Sequence, residues 1–204
     1  LFFGQSSFSL YVVTRASNAV VVDPEVDLTL LGPLGCGIQT GSGTVLNRLK
    51  PVVGESLVVF GCGAVGLSAI MAAKLTGCSQ IIAVDIHASR LALARELGAT
   101  HQINGKEQDA VAVIKQITGK GAHYAVETTG VSAIVLQAVH AVKPLGTVAI
   151  VGFTGDITLN VQNDLMAEGK SLVGVIEGDA VPALFIPLLV QLYKQGKFPI
   201  MLAA

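Results

Sequence analysis

A chain of 204 residues is long enough for one domain and part of a second. Apolar residues make up 51% of it and charged residues 13%, a balance typical of a sheet whose strands are buried on both faces. The formal net charge of −1, without a basic block, argues against nucleic acid and membrane surfaces as partners.

The predicted elements begin with two short strands, over residues 7–13 and 18–22, and a proline turn at 23–27. A helical pattern at 28–49 carries many glycines, which indicates close backbone packing or a backbone site. Short strands and helices then alternate, which predicts an α/β fold with a doubly wound parallel sheet. The strands are predicted at 56–60, 81–85, 101–104, 123–127, 146–152 and 172–176, and the helices at 64–76, 89–99, 107–118, 131–143 and 180–194.

The segment between Glu55 and Lys74 carries no charge, and it is the first candidate for a function. A membrane-spanning helix needs roughly 20 apolar residues without breaks, whereas this segment contains Gly61, Gly63 and Gly66 between a strand pattern and a helix pattern. In that context G-x-G-x-x-G predicts a dinucleotide-binding loop. The three glycines would permit a tight turn, backbone approach to a pyrophosphate and close helix packing, in that order.

Asp85 ends the next predicted strand, where a carboxylate can accept hydrogen bonds from the ribose hydroxyls of an adenosine. It would also repel a 2′-phosphate, so NAD is favoured over NADP, although the nearby Arg90 would suit a 2′-phosphate. Two plainer interpretations stay open: Asp85 as a solvated strand end, and the glycine loop as a buried turn without a ligand.

Further segments carry a family resemblance in their order and spacing: LLGPLGCGIQTGSGTVLN (30–47), VVFGCGAVGLSAI, IIAVDI, AVETTG (125–130), GTVAIVGF (146–153) and SLVGVIEGD (171–179). With them the chain resembles the zinc-containing alcohol dehydrogenases of the medium-chain dehydrogenase/reductase superfamily over nearly its whole length. Within that family, GVIEGD and FIPLLVQLYKQGKFP are most similar to the aryl (benzyl) alcohol dehydrogenases.

The resemblance implies hydride transfer between a primary, aryl alcohol and NAD at a catalytic zinc. Cys36, as a zinc ligand, and Thr40, at the nicotinamide, would be the catalytic positions, and Phe2 would line the substrate pocket. The cofactor-binding positions would be Gly61, Gly63, Ala64, Val65, Gly66, Asp85, Arg90, Thr128, Thr129, Val151, Phe153 and Val175. Without the resemblance, a cysteine among glycines is more often a packed residue, which is how we interpret Cys62 and Cys78.

The resemblance also implies a domain division: 1–36 as the trailing part of a GroES-like β-rich catalytic domain, 37–176 as the Rossmann domain, and 177–204 as a linking helix. In the family the other two catalytic zinc ligands, the structural zinc lobe and the proton relay precede this segment. We therefore expect a portion of a longer protein that alone binds no zinc tightly and is inactive. A cytoplasmic homodimer or homotetramer, paired through an edge strand near 169–176, is also implied.

Three alternatives compete with this interpretation. A zinc-free quinone or enoyl reductase would share the sheet but prefer NADPH, and both Cys36 and Asp85 argue against it. A short-chain dehydrogenase needs a Tyr-x-x-x-Lys pair, and Tyr193 and Lys197 have that spacing but lie past the predicted sheet. A nucleotide-binding module without chemistry is the third alternative, because a fold alone does not fix a function.

Overall fold

The computed structural model describes residues 10–200 of the chain. Its strands are β1 (Ser56–Phe60), β2 (Gln80–Asp85), β3 (His101–Asn104), β4 (Ala122–Glu127), β5 (Val142–Ile150) and β6 (Ser171–Gly174). Its α-helices are α1 (Gly37–Gly43), α2 (Ala64–Leu75), α3 (Ala88–Leu97), α4 (Ala110–Thr118), α5 (Ser132–Ala141) and α6 (Pro182–Lys194). All neighbouring strands are parallel, in the order β3-β2-β1-β4-β5-β6. This order confirms the predicted fold class.

Strand β1 explains why the sheet is covered on both faces. All five of its residues are buried, and successive side chains point to opposite faces of the sheet. Leu57 and Val59 pack into an apolar core with residues of α1, α2, α3 and α6. Val58 and Phe60 pack into a second core with residues of α4 and α5. The uncharged run in the sequence is therefore a strand buried on both faces and then a buried helix. Among residues 10–200, no helix has the length and apolarity needed to cross a membrane.

The glycine-rich segment folds as α1, which packs against the first turn of α2. A Cβ on Gly41 would lie 1.9 Å from the Val65 carbonyl oxygen and 2.2 Å from Ser68 Oγ, so only glycine fits there. A π-helical turn, Thr44–Leu49, continues α1. The predicted helix over 28–49 is thus confirmed for its second half, whereas the part before α1 forms short 3₁₀ turns.

The prediction of two strands near the amino terminus is wrong where the structure describes it. Residues 7–9 lie outside the described residues, and 10–13 and 18–22 form no strand, with Asn18 ending a 3₁₀ turn. A strand needs a partner, and within residues 10–200 this segment pairs with no strand: Leu10 is 97% exposed and Val21 is 91% exposed. Apolar alternation indicated strands here, but the pattern does not say whether a neighbouring strand exists.

His123, at the start of β4, accepts a hydrogen bond on Nδ1 from the backbone N–H of Ser56 at 3.1 Å, and Ser56 Oγ lies 2.8 Å from the same nitrogen. Burial lowers the pKa of His123, and the nearby Lys143 ammonium lowers it further, against a smaller raising effect of Glu55. The folded protein therefore favours the neutral imidazole. The unfolded chain, with an ordinary histidine pKa of about 6.5, binds the proton more readily.

From this we predict that the contribution of His123 to stability is present above about pH 6.5 and is lost as the pH falls toward its lowered native pKa. The variant His123→Asn keeps an acceptor near the position of Nδ1 but does not titrate. The free energy of unfolding, measured by urea titration at pH 7.5 and 5.5, should fall more for the parent chain than for the variant. Equal falls would contradict the prediction.

Candidate functional site

A cleft of about 540 Å³ lies over the carboxyl ends of β1, β2 and β4. The sheet order reverses between β1 and β4, and in doubly wound sheets such a reversal opens a crevice in which ligands bind. The cleft contains eight of the predicted cofactor positions: Gly61, Gly63, Ala64, Val65, Asp85, Arg90, Thr128 and Thr129.

The glycine turn after β1 owes its shape to contacts that only glycine permits. Gly61 has a φ of +91°, and a Cβ there would lie 2.6 Å from Thr128 Oγ1. A Cβ on Gly66 would lie 1.8 Å from the Gly61 carbonyl oxygen. The Thr128 hydroxyl lies 2.9 Å from the Phe60 carbonyl oxygen and 3.1 Å from that of Gly61, so it supports the turn from behind.

Gly63 differs from its two neighbours in the motif, because a Cβ there would meet nothing within 4 Å. It is the residue before α2, and no side chain caps the start of that helix. The first N–H groups of a helix have no intrahelical partner. Together with the helix dipole, they form a place where an anion can bind. Backbone donors and open space therefore meet at Gly63.

Asp85 lies at the opposite side of the same cleft, and its carboxylate is 4% exposed. One carboxylate oxygen accepts the Cys62 N–H at 2.7 Å, and the other accepts the N–H groups of Ile86 at 2.7 Å and His87 at 2.9 Å. Arg90 Nη1 lies 3.9 Å away. The carboxylate therefore joins the glycine turn to the end of β2, and about one of its four acceptor positions is left for a ligand.

Glu127 is a site residue that the sequence analysis missed. It ends β4 fully buried, and its carboxylate accepts hydrogen bonds from the Thr129 N–H at 2.6 Å, the Thr129 hydroxyl and the Gly130 N–H at 3.2 Å. These bonds shape the turn whose threonines line the cleft. The signal in the sequence was an acid that ends a buried strand, the same position that Asp85 takes in β2.

A second cleft, of about 350 Å³, lies over the carboxyl ends of β5 and β6. It contains the other three strand-end positions of the prediction, Val151, Phe153 and Val175, together with Ile176. Phe153 is fully exposed at its rim, whereas Val175 is buried. Eleven of the twelve predicted cofactor positions therefore divide between two neighbouring clefts along one edge of the sheet, and Gly66 lines neither cleft.

Cys36 lies at the start of α1 with an exposed side chain, which excludes a packing role for it within the described residues. Burial raises the pKa of its thiol above the ordinary value, and the Glu177 carboxylate raises it further. Residues 10–200 contain no group of three or more His, Cys, Asp or Glu side chains that could bind a metal ion. A catalytic zinc needs about three protein ligands, so the described residues do not form such a site on their own, and Cys36 as a ligand stays a prediction.

Thr40 lies one turn after Cys36, with its hydroxyl 3.4 Å from Glu177 Oε2. Glu177 and its two successors, here called the Glu177 loop (Glu177–Asp179), have φ values of 50°, 67° and 48°. Positive φ is uncommon outside glycine and costs about 1–2 kcal/mol per residue. Glu177 lies in the GVIEGD segment that resembles the aryl alcohol dehydrogenases, and the sequence alone predicted no role for it.

Comparison with known proteins decides the family to which this site belongs. A family model described as zinc-binding dehydrogenase matches residues 64–194, which is more than half of the chain. The chain belongs to the zinc-binding dehydrogenase family. The match begins at Ala64, at the start of the helix that follows the glycine turn, and ends at Lys194, the last residue of α6.

Individual dehydrogenases match over nearly the whole chain. The geraniol dehydrogenase of Castellaniella defragrans is 44% identical, over 98% of this chain and 54% of the relative. The crystal structure of benzyl alcohol dehydrogenase from Acinetobacter calcoaceticus matches with a TM-score of 0.93 and 53% identity, over 96% of this chain and 55% of that one. An alcohol dehydrogenase zinc-binding domain protein from Burkholderia ambifaria matches with a TM-score of 0.92 and 52% identity, over 97% of this chain and 54% of that one.

These relatives confirm the resemblance to alcohol dehydrogenases, including that to the benzyl alcohol enzymes, and do not favour the reductase or module alternatives. The chain spans about half the length of the relatives that it matches. Within that half, the segment matched by the family model contains α2 and the strands β2 to β6. The end of β1 and the glycine turn, which also line the first cleft, precede that segment.

We predict that Glu127→Ala lowers the free energy of unfolding by about 1.5–3 kcal/mol, because the N–H groups of Thr129 and Gly130 lose a charged acceptor. Glu127→Gln keeps one acceptor oxygen for the Thr129 N–H and should lose less than half of that amount. Urea titration of the three proteins measures both differences. Neutral surface substitutions change the free energy of unfolding by up to about 0.5 kcal/mol. An alanine variant within that margin of the parent would show that the carboxylate does not support the turn.

Proposed function

We propose that the chain is the cofactor-binding portion of an NAD-dependent, zinc-dependent alcohol dehydrogenase. The observation that carries this proposal is the first cleft, where a carboxylate and an uncapped helix start face one space. A nicotinamide dinucleotide carries two features that such a site recognises, a pyrophosphate and a ribose with free hydroxyls. When bound, NAD would supply the hydride acceptor.

In this proposal the pyrophosphate binds at Gly63, where the N–H groups at the start of α2 donate to it. Val65 and the Thr129 side of the cleft enclose the rest of the dinucleotide. Asp85 accepts a hydrogen bond from one ribose hydroxyl, because backbone N–H groups already occupy the other acceptor positions. This differs from the expectation that both hydroxyls bind to the carboxylate.

The same carboxylate supports NAD over NADP. A 2′-phosphate would place a second anion beside Asp85, which is buried and lies 3.9 Å from the guanidinium of Arg90. Arg90 is therefore directed toward the carboxylate, and its charge is partly balanced there. We infer that Arg90 contacts the adenosine ribose without providing a phosphate site.

For the whole protein we propose a small-molecule substrate, a primary and preferably aryl alcohol or its aldehyde, on the strength of similarity to benzyl alcohol dehydrogenase. The geraniol relative is more distant, at 44% identity. We propose Cys36 as one ligand of a catalytic zinc, with its remaining ligands outside the described residues, and Thr40 as a contact of the nicotinamide.

We further propose the division into 1–36, 37–176 and 177–204 described above, and a cytoplasmic homodimer or homotetramer. Strand β6 supports pairing between copies, because it is an edge strand with half-exposed Leu172 and Val173. An unpaired apolar edge favours association. The three free thiols, Cys36, Cys62 and Cys78, are consistent with a reducing compartment.

The first test is a titration of the chain with NADH and with NADPH, followed by the cofactor's own fluorescence, to which the chain adds no tryptophan signal. We predict tighter binding of NADH. The variant Gly63→Asp should fold as well as the parent, because the position is open and aspartate caps helices well. Its carboxylate should repel the pyrophosphate and weaken NADH binding at least about tenfold.

Gly32→Asp is the matched control for this titration, because Gly32 also has open space around it and lies outside both clefts. It should bind NADH as the parent does. Tight NADH binding by Gly63→Asp, or preference of the parent for NADPH, would contradict the proposed site.

The second test concerns zinc and uses the full-length protein that contains this chain. We predict that Cys36→Ser lowers the bound zinc per subunit, measured by elemental analysis, and abolishes oxidation of benzyl alcohol. Cys78→Ser is the control, because Cys78 is half-buried and distant in sequence from the site. Full zinc content in the Cys36 variant would exclude Cys36 as a ligand.

A further inference from the structure

The Glu177 loop has a backbone that the chain would not adopt without support. Three residues in succession have positive φ, and only the middle one, Gly178, is a glycine. Such conformations persist where the surrounding structure determines them, and they concentrate at functional sites. The supporting contacts therefore indicate what the loop is built to do.

Those contacts come from α1 and the π-helical turn after it. Gly178 packs against Gly43 so closely that a Cβ on Gly43 would lie 2.5 Å from the Gly178 carbonyl oxygen. Asn47 Nδ2 donates to the same oxygen at 3.0 Å. Glu177 Oε2 accepts hydrogen bonds from Gln39 Nε2 at 2.9 Å and, more weakly, from the Thr40 hydroxyl at 3.4 Å.

The Gln39 side chain can take only one orientation in this arrangement. Its Nε2 donates both to the Gly35 carbonyl oxygen at 3.0 Å and to Glu177, so a flipped amide would place its oxygen against two acceptors. Gln39 is 3% exposed, and its Oε1 has no hydrogen-bond partner among the described residues. The position of this buried amide therefore depends on the glutamate.

The Glu177 loop also has a defined place beside the second cleft. It follows β6 directly, after Val175 and Ile176, which line the second cleft. In doubly wound sheets each half binds one mononucleotide. Asp85 belongs to the half with β1, β2 and β3, so the half with β4, β5 and β6 receives the nicotinamide nucleotide. The helix that Glu177 contacts carries Thr40 and follows Cys36.

We propose that Glu177 is a positioning residue for the nicotinamide end of the cofactor. Its carboxylate binds Gln39 and Thr40, fixes the Glu177 loop on α1, and so sets the distance between the second cleft and the Thr40 hydroxyl. The adenosine end, at Asp85, does not depend on it. This inference rests on the proposed function and adds a residue to which no role was given.

The test compares two ligands that differ at one end. ADP-ribose lacks the nicotinamide, so the ratio of its Kd to that of NADH measures what the nicotinamide end contributes. We expect Glu177→Ala to weaken NADH binding roughly three- to tenfold, the effect of losing one or two hydrogen bonds. Binding of ADP-ribose should stay within about twofold of the parent, a difference too small to reflect a lost hydrogen bond. Retained ADP-ribose binding also shows that the variant is folded.

Two conservative variants separate geometry from charge. Glu177→Gln keeps an acceptor oxygen at the same reach and should restore the parent's ratio. Glu177→Asp keeps the charge but is one methylene too short, so it should behave like the alanine variant. Glu96→Ala, an exposed glutamate on α3, is the matched control and should change neither Kd.

Each remaining outcome is decisive. The positioning role would be overturned if Glu177→Ala had the same ratio of Kd values as the parent. It would also be overturned if Glu177→Gln lost the parent's ratio while Glu177→Asp kept it. A parent chain that binds ADP-ribose and NADH equally would overturn it as well, while leaving the adenosine site intact. A parent chain that binds neither ligand would contradict the proposed function itself.

Discussion

The hydrogen bond from the Cys62 N–H to the Asp85 carboxylate, at 2.7 Å, is the interaction on which the first cleft depends. It joins the turn after β1 to the end of β2 and aligns the start of α2 with the carboxylate across the cleft. A parallel sheet alone would bring these strand ends together. The bond adds an orientation, because a carboxylate that accepts three backbone N–H groups has little freedom left.

Two clefts follow from the order of the strands. The reversal between β1 and β4 opens the first, and the ends of β5 and β6 form the second. Helix α1 is not part of the sheet, yet it connects two parts of the site. Gly41 allows it to approach α2 at Val65, and its other side supports the Glu177 loop. One short helix thus connects the glycine turn with the far end of the groove, and Cys36 lies at its start.

The sequence alone was sufficient to predict the sheet. Patterns of strands buried on both faces alternate with patterns of amphipathic or buried helices, and glycines mark the breaks between them. It was sufficient to predict the tight turn at Gly61 and the close packing at Gly66, whereas the roles of Gly63 and Asp85 toward a cofactor stay predictions. It was insufficient for residues 10–22, where pairing depends on a partner that no local pattern encodes. Glu127 was missed because an acid at the end of a buried strand does not by itself show that it will bind the N–H groups of the next turn. Glu177 was missed because its partners on α1 are distant in sequence and its backbone conformation is unusual.

The most direct test of a dinucleotide site along this edge of the sheet is an NMR titration of the ¹⁵N-labelled chain with NAD. We predict that the largest amide shifts fall on Gly63, Ala64 and Val65, with further shifts at Ile86 and Thr129, which line the first cleft. Ser56 and His123, at the opposite edge of the sheet, should not change. Saturable shifts confined to that opposite edge, or the absence of a shift at Gly63, would contradict a dinucleotide site in the first cleft.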